Sequence, residues 1–195
     1  MSIAFVLGNG KSRLQLDLIK LKPFGKIFGC NALYREFAPD YLISVDQPML
    51  QEITNSGYHK TNAVWTTQRN QNKFPGVNVL VPSKGWSSGP TALHFATTLG
   101  FKRIYIVGFD YSGVKGKVNN VYADSKNYKK SADTATYYGN WLKQTEQVIK
   151  ENTKIRFIRV VLPGISLIPK ELERYKNVNH ITCNNFNDLL LKGDL

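Results

Sequence analysis

Two glycines and an amide-bearing residue follow the first apolar run of the chain. The run at 3–7 leads directly into Gly8, Asn9 and Gly10. In dinucleotide-binding proteins, a Gly-x-Gly at this place makes a tight turn and lets a phosphate or ribose approach the backbone. The third glycine of that motif would fall at position 13, which is Arg13. A Gly/Asn turn that closes a β-hairpin has the same local sequence, so both interpretations stay open at this point.

Polar residues follow three other apolar runs in the same way. Asn31 comes after Cys30, Asp46 comes directly after the run YLISV, and Asp110 comes after Gly108 and Phe109. The carboxyl ends of parallel strands meet at one edge of a sheet, and ligands bind at that edge near a topological switch point. We therefore expect these side chains and Asn9 to converge on one site.

The stretch Ser87-Ser88-Gly89-Pro90 is typical of a helix start. Ser88 suits the N-cap, and Pro90 falls in the first turn, where its missing N–H costs little. Gly89 leaves the backbone N–H groups open to a ligand, and a helix N-terminus favours anions. Ordinary capping explains Ser88 and Pro90 equally well. The location of the stretch between two predicted strands favours a phosphate site.

Short apolar runs that alternate with longer mixed segments predict the elements that position these residues. We predict strands at 3–7, 26–29, 41–45, 62–66, 77–81, 103–108, 155–161 and 178–182, and helices at 13–20, 47–56, 88–99, 134–150 and 185–191. This alternation predicts an α/β fold in a single domain, residues 1–195: a Rossmann-like, mostly parallel sheet with helices on both faces.

The polar segment 111–132 interrupts this compact pattern. It is rich in Gly, Asn, Lys and Tyr, and it holds the densest group of basic residues: Lys115, Lys117, Lys126, Lys129 and Lys130, interleaved with Tyr122 and Tyr128. Loops of this length are uncommon unless they are lids, binding loops or disordered. We expect a mobile lid that an anion orders, with a solvated loop as the alternative.

The charge of the whole chain also indicates an anionic partner. There are 26 Lys and Arg residues against 14 Asp and Glu residues, which gives a net charge of +12. Such an excess favours nucleic acid, a nucleotide-linked substrate, an acidic glycan or a membrane surface. No stretch approaches the ~20 apolar residues of a membrane span, and no secretory signal is visible. With only Cys30 and Cys183, too few for a disulfide framework or a zinc cluster, we expect a cytoplasmic protein.

Three stretches together resemble a known group of proteins. They are GNGKS at 8–12, FGCNALY at 28–34 and SSGPTALHFATTLGFKRIYIVGFDY at 87–111. The combination resembles bacterial sialyltransferases of the Campylobacter type, which form one broad Rossmann-like group with motility accessory factors and pterin-diphosphokinase-like proteins. The resemblance implies that Asn9, Asn31 and the 87–89 segment bind a cytidine nucleotide, and that Tyr122 is a lid tyrosine holding its phosphate.

The chain departs from the sialyltransferase pattern in its acid–base residues. The general base of that family is a lid histidine, whereas the histidines here lie at 59, 94 and 180. Asp46 or Asp124 would replace it, which a carboxylate can do if burial raises its pKa. The phrase APDYLISVD at 38–46 looks more like the other branch of the group, with Asp46 where the sialyltransferases carry Asn.

Three functions therefore remain open. The leading hypothesis is a glycosyltransferase that uses a nucleotide-activated sugar, with a CMP-linked nonulosonate as one donor and no metal or other cofactor. The second is a diphosphokinase-like enzyme in which Asp46 and Asp110 hold Mg²⁺. The third is a non-catalytic module that binds nucleotides or nucleic acid, although no nucleic-acid recognition motif supports it.

Overall fold

The structure is a computed structural model, and it describes residues 2–195. One sheet of eight strands forms its centre, with the order β5-β4-β3-β2-β1-β6-β7-β8. All seven neighbouring pairs are parallel. The strands are β1 (Ile3–Leu7), β2 (Lys26–Cys30), β3 (Tyr41–Ile43), β4 (Val64–Thr67), β5 (Asn78–Leu80), β6 (Arg103–Val107), β7 (Arg156–Val161) and β8 (Val178–Thr182). The order reverses between β1 and β6, which makes this boundary the topological switch point.

Helices cover both faces of the sheet. They are α1 (Gln47–Asn55), α2 (Ser88–Thr98), α3 (Gly139–Glu151), α4 (Lys170–Glu173) and α5 (Cys183–Lys192). Side chains alternate along each strand, so Phe5 and Leu7 belong to the apolar cluster under α1 and α5. Ala4 and Val6 belong to the cluster under α2 and α3 on the opposite face. The α/β architecture with helices on both faces is confirmed, and the sheet is entirely parallel.

One predicted helix is wrong. The segment 13–20 forms two 3-10 turns, Lys11–Gln15 and Leu18–Leu21, instead of one α-helix. Asp17 separates them, because its carboxylate accepts a hydrogen bond from the N–H of Ile19 at 3.1 Å and starts the second turn. The four-residue helix α4 lies outside every predicted helix, since it is too short to carry a helical pattern.

The segment 111–132 contains no regular helix or strand and lies against the carboxyl edge of the sheet. The N–H of Val121 donates to the carbonyl of Asn9 at 2.8 Å. Arg35 donates to the hydroxyl of Ser125 at 2.8 Å and to the carbonyl of Lys126 at 3.0 Å. The segment is thus hydrogen-bonded over the edge where the site was predicted. Its mobility stays a prediction.

None of the helices within residues 2–195 has both the length and the apolar character needed to cross a membrane. Cys30 and Cys183 are both buried and unpaired.

Candidate functional site

A cavity of about 420 Å³ opens at the carboxyl edge of the sheet, where β1 and β6 end. Its volume lies within the range of small-molecule sites, and its location at the switch point is where such sheets bind ligands. Nine of the predicted site residues line it: Gly8, Asn9, Gly10, Asn31, Asp46, Ser87, Ser88, Gly89 and Asp110. The convergence of the four polar strand ends is therefore confirmed as geometry.

The glycines of the first turn serve the contact between two strand ends. A Cβ at Gly8 would lie 2.6 Å from the carbonyl oxygen of Gly108 and 2.8 Å from Phe109 Cδ2. A Cβ at Gly10 would collide with the carboxylate of Asp110. The Gly10 N–H also donates to the Gly108 carbonyl at 2.9 Å. The two glycines are thus required by internal packing, and because both also line the cavity, their contact with a ligand stays a prediction.

Asn9 joins the first turn to the segment 111–132. Its Nδ2 donates to the hydroxyl oxygen of Tyr128 at 3.2 Å, and that oxygen also accepts from the N–H of Ala32 at 3.3 Å. Within residues 2–195 the hydroxyl proton of Tyr128 has no acceptor. Burial raises the pKa of Tyr128 to about 12, so the hydroxyl stays protonated at neutral pH. Tyr128 lines the cavity and is therefore available to donate a hydrogen bond to a ligand.

Ser88 connects three elements at the cavity wall. Its hydroxyl donates to Asn31 Oδ1 at 2.8 Å and accepts from the N–H of Val45 at 3.2 Å. Asn31 has a left-handed backbone with φ of 53°, which Asn tolerates better than most residues. The N-cap of α2 is Ser87 rather than the predicted Ser88, and its side chain makes no capping hydrogen bond.

The N-terminus of α2 presents unpaired N–H groups to the cavity. Thr91 is the first helical residue whose N–H donates to a helix carbonyl, that of Ser87 at 3.0 Å. In the described chain the N–H groups of Ser88 and Gly89 have no acceptor, and Pro90 has no N–H. These groups carry the positive end of the helix dipole, which favours an anion. Gly89 also packs on Phe109, whose Cζ would lie 3.0 Å from an added Cβ.

Asp46 is a carboxylate in the cavity without a hydrogen-bond donor from the described residues. It is the N-cap residue of α1, but its side chain makes no capping bond. Solvent reaches the residue, yet the surrounding protein partly desolvates the carboxylate, and this burial raises its pKa above the usual value. An unpaired carboxylate with a raised pKa is suited to accept a proton.

Asp110, by contrast, is occupied by the protein. One carboxylate oxygen accepts from the N–H of Ser12 and from Asn119 Nδ2, both at 3.1 Å, and the other accepts from the hydroxyl of Ser166 at 2.7 Å. These three donors fix the buried carboxylate in the cavity lining, and its contact with a nucleotide stays a prediction. Across residues 2–195, no group of three His, Cys, Asp or Glu side chains is placed to hold a metal ion.

Two predicted site residues do not line the cavity. The Tyr122 hydroxyl is buried behind it, where it donates to Glu36 Oε1 at 2.6 Å and accepts from Arg13 Nη2 at 2.9 Å. Asp124 is exposed and accepts from the N–H of Ser131 at 2.9 Å. Hydrogen bonds from Ser131, together with the positive charge of the nearby Lys11, lower the pKa of Asp124, which is the opposite of the shift required for a base. In the segment 111–132, Tyr111 and Tyr128 line the cavity, whereas Tyr122 does not.

Sequence reasoning missed four aromatic residues of the cavity lining. They are Phe109, Tyr111, Tyr138 and Trp141. Tyr138 and Trp141 lie at the start of α3, where their spacing of three residues puts them on one side of the helix. That spacing is equally typical of a helix face in the core, so the sequence carried no signal that separated the two.

Comparisons of the chain with known protein families, with characterised proteins and with solved structures find no match. Fold and cavity therefore define a class only. The protein is an α/β protein with one parallel sheet, consistent with a Rossmann-like fold, and with a cavity at the switch point.

Proposed function

We propose that this protein is a glycosyltransferase-like enzyme that uses a nucleotide-activated sugar, with a CMP-linked nonulosonate as the candidate donor. One observation carries the proposal. A single cavity combines a helix N-terminus suited to a phosphate with an unpaired carboxylate whose pKa is raised. The sugar and the cytidine base come from the resemblance of GNG, CN and SSG to sialyltransferases.

The donor nucleotide would occupy the side of the cavity formed by Asn9, Asn31 and α2. The free N–H groups of Ser88 and Gly89 would bind its phosphate, because the helix dipole and the backbone donors act together there. The Tyr128 hydroxyl would donate a further hydrogen bond. Lys129 lines the same cavity and supplies a positive charge.

The transfer itself would require one proton acceptor and one stabilised leaving group. Asp46 would take the proton from an acceptor hydroxyl, whose oxygen forms a bond to the anomeric carbon of the sugar. The bond from that carbon to the phosphate oxygen breaks, and its electron pair stays on the phosphate. Tyr128, Lys129 and the α2 N-terminus would stabilise the negative charge that develops there, which is electrostatic catalysis.

A thermal-shift screen against CMP, UMP, ATP, CMP-sialic acid and a mixed-sequence oligonucleotide, with and without Mg²⁺, tests the proposal. We expect CMP and the CMP-sugar to raise the thermal midpoint without metal. A ligand at 100 times its Kd adds roughly 2.7 kcal/mol of stability. Stabilisation by ATP only with Mg²⁺ would favour a diphosphokinase, and a response to nucleic acid alone would favour a binding module. Either result contradicts the proposal.

A matched pair of variants tests Asp46 as the proton acceptor. Asp46→Asn removes the proposed base but leaves the phosphate contacts, so nucleotide binding should persist while transfer is lost. Asp124→Asn changes an exposed carboxylate outside the cavity and should leave both unchanged. Equal transfer activity in the two variants would exclude Asp46 as the base.

A further inference from the structure

The aromatic side of the cavity has no role in the proposed contacts to the nucleotide. Tyr138 and Trp141 line it from the first turn of α3, and Trp141 keeps 40% of its surface exposed. Large aromatic side chains are usually covered, so a tryptophan left open inside a cavity can bind an apolar surface of a ligand.

Two hydrogen bonds attach α3, which carries the aromatic wall formed by Tyr138 and Trp141, to the rest of the site. The Tyr111 hydroxyl donates to Thr145 Oγ1 at 2.7 Å, which attaches the floor of the cavity to α3. Gln144 of the same helix accepts from the N–H of Ser87 at 3.1 Å, which attaches α3 to the start of α2. Both bonds lie within the protein and fix α3 against the rest of the cavity, so a ring that stacks on the wall orders little protein.

Uncharged polar side chains accompany the aromatic wall in the cavity lining. Ser112, Asn120 and Thr136 line the same cavity. In the described residues the Asn120 amide nitrogen and the Thr136 hydroxyl have no partner, so both are available to hydroxyl groups. A flat aromatic surface beside amides and hydroxyls suits a pyranose ring, because the ring has a face of weakly positive C–H groups and an edge of hydroxyls. The negative face of an aromatic ring attracts such C–H groups.

We propose that Trp141 and Tyr138 form a subsite for a neutral hexopyranoside ring, which is the acceptor of the transfer. The role of this ring as the acceptor rests on the proposed function. Binding of the saccharide to the subsite can nevertheless be measured without any transfer. The cavity then has two parts, an anion-favouring part at α2 and a neutral ring-stacking part at α3.

Saturation-transfer NMR on the full chain tests the subsite with three neutral probes: the methyl glycosides of glucose, galactose and N-acetylglucosamine. We expect at least one probe to receive saturation from the protein, strongest at the C–H protons of one ring face. Trp141→Ala should weaken its binding by at least tenfold, and Trp141→Tyr should restore part of it.

Tyr137→Ala is the matched control. Tyr137 is 71% exposed, stacks on Tyr138 with a ring-centre distance of 6.2 Å and does not line the cavity. The Tyr137→Ala variant should bind the probe as tightly as the wild type does. Absence of saturation with all three probes, or equal binding by Trp141→Ala and the wild type, would overturn the subsite.

The nucleotide screen separates this failure from failure of the proposed function. If CMP binds and no glycoside does, the subsite is wrong and the nucleotide site stands. If Trp141→Ala weakens CMP binding but not glycoside binding, the wall stacks a nucleobase and the inference is also wrong. Binding of a glycoside that depends on Trp141, without binding of any nucleotide, would support the subsite and contradict the transferase.

Discussion

Asn9 Nδ2 donates a hydrogen bond to the hydroxyl oxygen of Tyr128 at 3.2 Å, although 119 residues separate the two in the chain. The bond joins the turn after the first strand to the segment that lies over the cavity. It also leaves the Tyr128 proton free for a ligand, because the oxygen accepts from both Asn9 and the Ala32 backbone.

Asn9→Ala should weaken CMP binding by about tenfold, or about 1.4 kcal/mol, because the side chain and the orientation of Tyr128 are lost together. The free energy of unfolding should change by less than about 1.5 kcal/mol, since only one partly buried hydrogen bond disappears. Isothermal titration and urea unfolding measure the two quantities. Asn55→Ala on the surface of α1 is the control. Unchanged affinity in Asn9→Ala would mean that the turn is structural.

Gly10→Ala should destabilise the fold by more than Gly89→Ala does. The new methyl group at position 10 meets the Asp110 carboxylate and the Gly108 backbone, neither of which can move freely. At position 89 it meets the end of the Phe109 ring at 3.0 Å, which can shift by a few tenths of an ångström. We expect a loss of about 2–3 kcal/mol for Gly10→Ala and about 1 kcal/mol or less for Gly89→Ala. Urea unfolding measures both, and the reverse order would contradict the packing argument.

Asp46→Asn should abolish transfer without loss of stability at neutral pH. Because the folded-state pKa is raised above the unfolded value of 3.8, the ionised carboxylate costs stability above that range. The free energy of unfolding of the wild type should therefore fall as the pH rises through the folded-state pKa of Asp46, and that of the Asn variant should not. Thermal midpoints across the acidic range, compared between the two proteins, measure the difference. A variant less stable than the wild type at pH 7 would show that the carboxylate stabilises the fold.

The wild type should lose stability on acidification because of His180. Burial and the neighbouring Arg159 guanidinium, 3.5 Å from His180 Nδ1, lower the His180 pKa from 6.5 to about 4. A lowered pKa means that the neutral form contributes stability above pH 6.5, and that this contribution is lost as the pH falls toward 4. His180→Asn should show a smaller loss over this interval in urea unfolding. Equal slopes for the variant and the wild type would contradict the prediction.

Tyr122→Phe should make the segment 111–132 more sensitive to trypsin. The substitution removes the hydrogen bonds of the hydroxyl to Glu36 and Arg13, which hold the segment to the body of the protein. Five lysines in the segment are available for cleavage. Cleavage should be faster in the variant, and CMP should slow it in both proteins. Resistance that is equal with and without nucleotide would show that the segment is a fixed part of the fold rather than a lid.

Local patterns predicted most of the strands and helices of this protein. Runs such as IAFVL and RIYIV are apolar on both faces, which identifies buried parallel strands before any tertiary contact is known. Because parallel strands end at a common edge, the residues after them could also be grouped as one site, and Asn9, Asn31, Asp46 and Asp110 do line one cavity. The prediction of one α-helix at 13–20 failed, because the Asp17 side chain starts a new turn there.

The tertiary structure alone decided which of two similar candidate residues lines the cavity, both for the tyrosines of the polar segment and for the predicted bases. Tyr122 and Tyr128 lie in the same polar segment, yet Tyr122 is held behind the site by Arg13 and Glu36, while Tyr128 contacts Asn9. The two predicted bases likewise differ only in surroundings, which raise the pKa of Asp46 and lower that of Asp124. A repeating pattern reports which face of an element is buried, because that depends on neighbours along the chain. Hydrogen-bond partners, desolvation and the space around a glycine depend on residues that are distant in the sequence, so only the folded arrangement determines them.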